Sequence, residues 1–260
     1  MSPTPADSPQ EGPSMSMRAL RQLTEHVDQQ HREAMKTIGD DLGELHLSRQ
    51  DEVAVATRRN FVRNLGLGGA AVAFGTMLVP VAGLVPAALA QTATGADIPD
   101  ADMAVVKFAQ GLELAASAAY TSIVDARKLD SAQTETARLF GRHHDEHSTA
   151  LAELIPKDQV ATAPNPKIVA VFAPQIAAAA DANALMQIGF NLETGIAATY
   201  QLAMGALSNW QGGALVATIE PIEAQHAVVW GQTLDLPTAD WMPAFQSSAG
   251  AFDPTTYAAS

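Results

Sequence analysis

Between Asp100 and Leu234 the apolar residues recur with helical spacing in long stretches separated by turn signals, and no segment alternates with the period of a strand. The pattern predicts an all-α protein with four helices: Asp100–Ala126, Asp130–Leu154, a third stretch of which Pro174–Ser208 is the most helical part, and Ala214–Leu234. Aspartates near the start of the first suit the helix dipole, and an Asp130-Ser131 cap opens the second, which closes before Pro156. A polar, Pro-bearing link spans 156–166, and Asn209 to Gly213 breaks the third stretch from the fourth. Pro221 falls inside or near the first turns of the fourth helix and predicts a kink or a local bulge there. Residues 236–260, with Trp241, Phe245, Phe252 and Tyr257, read as a tail packed over the bundle.

Upstream the pattern changes. Residues 1–14 are polar and Pro-rich and read as disordered. From Arg18 to Leu47, the positions of Leu20, Leu23, Val27, Met35, Ile38, Leu42 and Leu45 predict one amphipathic helix. His26, His31 and His46 fall in it, no two of them three or four residues apart, and read as solvated surface. Next comes Thr57-Arg58-Arg59-Asn60-Phe61-Val62-Arg63, followed by a run from Asn64 to Ala96 without a charge. This resembles a twin-arginine export signal, with small residues at Ala88 and Ala90 suited to cleavage before Gln91. Uncleaved, residues 65–90 are long enough to span a membrane, although Pro80, Pro86 and five glycines make a poor permanent helix. The chain therefore divides into a cytoplasmic leader (1–57), a signal or anchor (58–90), a bundle (97–235) and the tail. The resemblance implies export by the twin-arginine machinery to the cell envelope or beyond it, either secreted or anchored. Because that route carries folded proteins, it also allows a metal to be loaded in the cytoplasm.

Composition narrows the chemistry. The 260 residues carry a net charge of −13, about −2 of it in residues 1–90 and −11 in the rest, which argues against nucleic acid as a partner. Cysteine is absent, so disulfides, thiolate catalysis and Cys-ligated metals are excluded. The sequence leaves a homo-oligomer open.

Within the fourth helix, Glu223-Ala-Gln-His226 places a carboxylate and an imidazole on one face, one turn apart, where both can reach one metal ion. The third helix holds Leu192-Glu193 followed seven residues later by Tyr200, and Glu193 is the sole acidic residue between Asp181 and Glu220. The first repeats this with Leu112-Glu113 and Tyr120, Glu113 standing alone between Asp102 and Asp125. A lone carboxylate midway along an apolar helix is costly to bury unless something neutralises it. The second helix carries His143-His144-Asp145-Glu146-His147. Aligning His147 with His226 puts His144 where Glu223 stands, while His143, four residues before His147, is an alternative partner for it. All four histidines after the signal lie in these two clusters. Tyr120 and Tyr200 share a face with the carboxylates of their own helices and are candidate catalytic residues, as hydrogen-bond or electron donors, beside an ordinary role in core packing.

This order of Glu, His-x-x-His, Glu and Glu-x-x-His over about residues 100–235 resembles the ferritin-like superfamily of di-iron and di-manganese carboxylate proteins, including exported bacterial proteins with a ferritin-like domain. The resemblance implies an up-down-up-down four-helix bundle with a long crossover between helices 2 and 3. It further implies two divalent metal ions, iron first and manganese or zinc as alternatives, held by Glu113, His144, His147, Glu193, Glu223 and His226. The expected activity is redox chemistry with dioxygen or peroxide, as a ferroxidase, a peroxide scavenger or a manganese-catalase-like oxidoreductase. The alternatives are a non-catalytic envelope or stress protein and a zinc-bound structural module. His144 departs from the pattern, since that position is usually Glu. Three carboxylates against two divalent ions leave about +1, and the added imidazole favours Fe, Mn, Zn or Cu over harder ions.

Overall fold

A computed structural model describes residues 15–44, 98–244 and 246–258. The segments read as export signal and membrane anchor, and His46, lie outside them. All regular structure among the described residues is helical: α1 (Met17–Glu44), α2 (Asp100–Asp125), α3 (Ser131–Ala152), α4 (Pro166–Ala178), α5 (Ala182–Ala206), α6 (Trp210–Thr233) and α7 (Thr238–Trp241). None of these helices is long and apolar enough to cross a membrane. Helix α2 packs along α3 and α5 along α6, and the two pairs meet through α2 against α5 and α3 against α6. This is the expected helical bundle, with 153–181 forming the crossover.

Three of the four bundle helices start where a side chain can accept from their free N–H groups, whereas α2 follows Pro99 without a side-chain cap. Asp130 and Gln133 form a reciprocal capping box on α3, Asp181 accepts from the Ala184 N–H at 2.9 Å on α5, and Asn209 accepts from the Gly212 N–H at 3.0 Å on α6. Asp102, buried in the first turn of α2, accepts from the Ser208 N–H at 2.7 Å and so ties that end of the bundle to the α5–α6 turn.

Three sequence expectations shift. The third stretch is two helices, because the Asp181 cap restarts the chain after Ala178. The Pro-bearing link ends one residue early, at Asn165, because Asn165 caps α4 and Pro166 supplies a φ already suited to a first helical turn. Ile168, Phe172 and Ile176, four residues apart, give α4 its buried face. Helix α6 begins at Trp210, within the segment read as a break, and runs on as one α-helix through Pro221 without a bulge.

Residues 15–35 belong to the same compact unit as the bundle, whereas 36–44 belong to another. Ser16 caps α1, accepting from the Ala19 N–H at 3.1 Å. Leu20, Thr24, Val27 and His31, at spacings of four, three and four, form its buried stripe. Thr24 pairs with Thr136 of α3 at 3.0 Å, and Arg21 with Glu135 at 3.2 Å. His31 is thus 1% exposed, contrary to its reading as solvated surface, because its position continues the apolar stripe of α1. His26 is exposed.

The tail lies on α5. Phe252 is buried and its N–H donates to the Thr199 hydroxyl at 2.8 Å. Gly195 makes room for it, since a Cβ there would stand 2.7 Å from the Phe252 ring.

Candidate metal centre

Between the two helix pairs six ionisable side chains are withdrawn from water: Glu113 of α2, His144 and His147 of α3, Glu193 of α5, and Glu223 and His226 of α6, none more than 1% exposed. Burying three carboxylates costs far more than packing recovers unless each is neutralised by a partner or a metal.

Two overlapping groups of four result. Glu113, His144, His147 and Glu223 place one potential donor atom each within 4.8 Å of one another, and so do His144, Glu193, Glu223 and His226. Glu223 and His144 belong to both. His144 reaches across the centre, with Nδ1 2.6 Å from Glu113 Oε2 and Nε2 3.2 Å from Glu193 Oε1. Glu223 Oε1 lies 2.8 Å from His147 Nδ1, and Glu223 Oε2 3.2 Å from His226 Nδ1.

Those last contacts are close yet misaligned. Both Glu223 oxygens and His147 Nδ1 are buried with no hydrogen-bond partner. Orphaned buried acceptors are rare in native proteins and need an explanation such as an ion. Three carboxylates and three imidazoles, all aimed inward, form a donor set suited to Fe, Mn or Zn. The residues therefore fit a pair of divalent ions.

The tyrosines connect the halves crosswise. Tyr120 of α2 donates to Glu193 Oε1 on α5, and Tyr200 of α5 donates to Glu113 Oε1 on α2. Each supports the carboxylate of the opposite helix, not that of its own. Trp230 Nε1 donates in turn to the Tyr120 hydroxyl at 2.9 Å, an approach allowed by Gly189, where a Cβ would meet Trp230 Nε1 at 3.0 Å. Burial and the neighbouring carboxylates push both phenols well above their ordinary range, so each remains a proton donor.

The electrostatics of the metal-free cluster follow from this packing. Burial opposes every charge, but the imidazoles outweigh it at the carboxylates: Glu113 is lowered to about 2, chiefly by His144, and Glu193 well below its usual range, chiefly by His144 and His226. Burial is likewise outweighed by carboxylates at His147, raised to about 9 with Glu223 the main cause, and at His144 and His226, both also raised. Without a metal, His144, His147 and His226 thus favour the charged form beside the ionised Glu113 and Glu193.

His143 lies outside both groups of four. Its Nδ1 is 2.9 Å from His226 Nε2 and its Nε2 3.4 Å from Asp28 Oδ1 on α1. Burial, then the neighbouring histidines, push it far down, so it is neutral. His31 stacks on it at 3.8 Å between ring centroids and reaches Glu146 Oε2 at 2.8 Å. Burial and His147 lower His31 to about 4.

A family model described as "Ferritin-like domain" matches residues 101–236. The chain belongs to the ferritin-like domain family. No curated protein and no solved structure matches it. The match covers α2 to α6, so every residue of the two groups lies inside the ferritin-like domain, whereas Asp28 and His31 lie outside it.

Proposed function

We propose that the ferritin-like domain holds two divalent metal ions, iron first, in metal-dependent redox chemistry outside the cytoplasm, as a ferroxidase or a peroxide scavenger. The observation that carries this reading is the Glu223 carboxylate, shared by both groups of four, with both oxygens buried and unpartnered. When bound, the metal pair supplies the electrons for reducing dioxygen or hydrogen peroxide. Glu113, His147 and Glu223 would hold one ion, and Glu193, Glu223 and His226 the other. His144 would complete one of them, because a neutral imidazole has a single free lone pair. Tyr120 and Tyr200 hold their protons and fix Glu193 and Glu113 by hydrogen bonds, so the carboxylates keep their orientation as the charge of the centre changes.

The resemblance of the Arg58-Arg59 segment to a twin-arginine signal supports export by that machinery. Helix α1 precedes that signal and the bundle follows it, so a span through residues 65–90 would leave the two on opposite sides of the membrane. Packing of α1 on the bundle therefore belongs to the chain before translocation, when metal can be loaded in the cytoplasm. Cleavage before Gln91 would likewise leave α1 behind.

One observation favours a second reading. The cluster holds as many imidazoles as carboxylates, three of each, so its groups can pair without a metal, as a non-catalytic envelope protein would need; a zinc-bound module would keep a metal without turnover. Purified protein assayed for metal content, Fe(II) oxidation and peroxide consumption separates the three. Iron or manganese with turnover supports the redox reading, zinc without turnover the structural module, and metal-free protein inert after reconstitution the non-catalytic one.

A further inference from the structure

We infer that Asp28, on a helix outside the ferritin-like domain, is a positioning residue for loading the metal centre: while α1 is packed on the bundle, before translocation, it sets through His143 which nitrogen His226 offers to a metal. The inference rests on the metal-binding reading above and extends it to the N-terminal helix.

The argument is one of donors and acceptors. A carboxylate can only accept, so the hydrogen bond between Asp28 Oδ1 and His143 Nε2 at 3.4 Å requires the His143 proton on Nε2. A ring that carries its single proton on Nε2 presents Nδ1 as a bare lone pair. Opposite it, at 2.9 Å, stands His226 Nε2, which must therefore be the N–H donor. With Nε2 protonated, the nitrogen that His226 can offer to a metal is Nδ1. That atom faces the cluster, 3.2 Å from Glu223 Oε2 and 3.3 Å from Glu193 Oε2. The opposite arrangement, His143 donating from Nδ1, would make His226 Nε2 the acceptor and leave Nδ1 protonated, closed to a metal.

The surroundings hold this chain of bonds in place. Arg32 binds the other Asp28 oxygen, Oδ2, at 2.8 Å one turn along α1, so the carboxylate keeps its orientation. His31 lies flat against the His143 ring, with 20° between the planes. On its far side His226 stacks on Phe140 at 3.9 Å. Both imidazoles are thus fixed by their faces as well as their edges. Partners behind a metal-bound histidine commonly set its tautomer and its affinity for the metal.

The test uses the full-length chain as wild type, Asp28→Leu and Asp28→Asn, the last retaining a side-chain oxygen as acceptor. Folding is checked by thermal melting. In the metal-free wild type, nitrogen-detected NMR of the histidine rings should find His143 protonated on Nε2 alone; protonation on Nδ1 overturns the inference whatever the metal does. Titration with Co(II), followed by its visible absorption, should show Asp28→Leu binding about tenfold or more weakly with altered bands, and Asp28→Asn close to wild type. If Asp28→Leu binds Co(II) with wild-type affinity and spectrum, the inference falls while the metal-binding reading stands. If the wild type binds no Co(II), the metal-binding reading falls and the positioning role falls with it.

Discussion

The two halves of the centre are built on one plan and differ at one residue. Helices α2 and α3 contribute Glu113, His144 and His147, and α5 and α6 contribute Glu193, Glu223 and His226, with tyrosines exchanged between them. Glu223 and His144 occupy corresponding places, yet their chemistry differs. A carboxylate has an oxygen for each of two ions, whereas a neutral imidazole has one lone pair for one ion. Half of the shared core can therefore bridge, and half cannot. The environment is also uneven, since the Asp28–His143 chain stands behind His226 alone among the imidazoles. A ferritin-like centre of this kind is expected to bind two ions with unequal affinity, and changes at the two shared positions should act in opposite directions.

The largest effect is expected from Glu223→Ala. It removes the one residue able to bridge and leaves His147 and His226 without their nearest carboxylate, so binding of both ions should be lost in calorimetric titration. The metal-free protein should lose about 3–5 kcal/mol in denaturant unfolding, as for a broken buried ion pair. Retention of two-ion binding would break the comparison at its strongest point.

His144→Glu makes the two halves alike. It should tighten the weaker ion and bring stoichiometry to two at lower metal concentration. The metal-free protein should become less stable by roughly 3 kcal/mol or more, because four buried carboxylates would face two imidazoles. A gain in metal-free stability would show that the cluster is not balanced by His144.

Much of this arrangement was legible before folding, and the reason is the scarcity of charge. Glu113 and Glu193 stand alone in apolar helices, and both are fully buried and face the same cluster. The four-residue spacing that carries Leu20 to Thr24 and Val27 to His31 was also in the chain. The spacing between histidines does not reveal His31; its place on the apolar stripe of α1 does. Two features were not legible. A seven-residue spacing puts Tyr120 on the face of Glu113, but says nothing about which helix lies opposite, and the phenol reaches Glu193 instead. Nothing in the spacing around Asp28 sets it apart from the other acids of α1, and only the packing of α1 brings it to His143. The α4 helix lies mostly in the third stretch before its most helical part, and Pro166, the last residue of the link, is its start.

Smaller effects sharpen the comparison. Tyr120→Phe and Tyr200→Phe each remove a hydrogen bond to a buried carboxylate and should cost about 1.5–3 kcal/mol in the metal-free protein. Tyr120→Phe should cost more, because Trp230 Nε1 also loses its acceptor. Equal losses would mean that the Trp230 contact contributes nothing.

Acidity provides the last test. His147 is raised from 6.5 to about 9, so its contribution to metal-free stability is complete below pH 6.5 and is lost as pH rises through 9. Glu113 is lowered from 4.5 to about 2, so its contribution is present above pH 4.5 and is lost as pH falls towards 2. Metal-free stability should therefore peak between these limits. Metal affinity should instead climb with pH up to about 9, because His147 must release its proton to bind.

The most direct measurement of the centre is anomalous diffraction from crystals of the full-length protein reconstituted with Fe(II) or Mn(II) without oxygen. Two ions sharing Glu223, one towards Glu113 and His147 and the other towards Glu193 and His226, with unequal occupancy at limiting metal, are the expected result. A cluster that stays metal-free after reconstitution with iron, manganese and zinc, its imidazoles still paired with the carboxylates, would contradict the account.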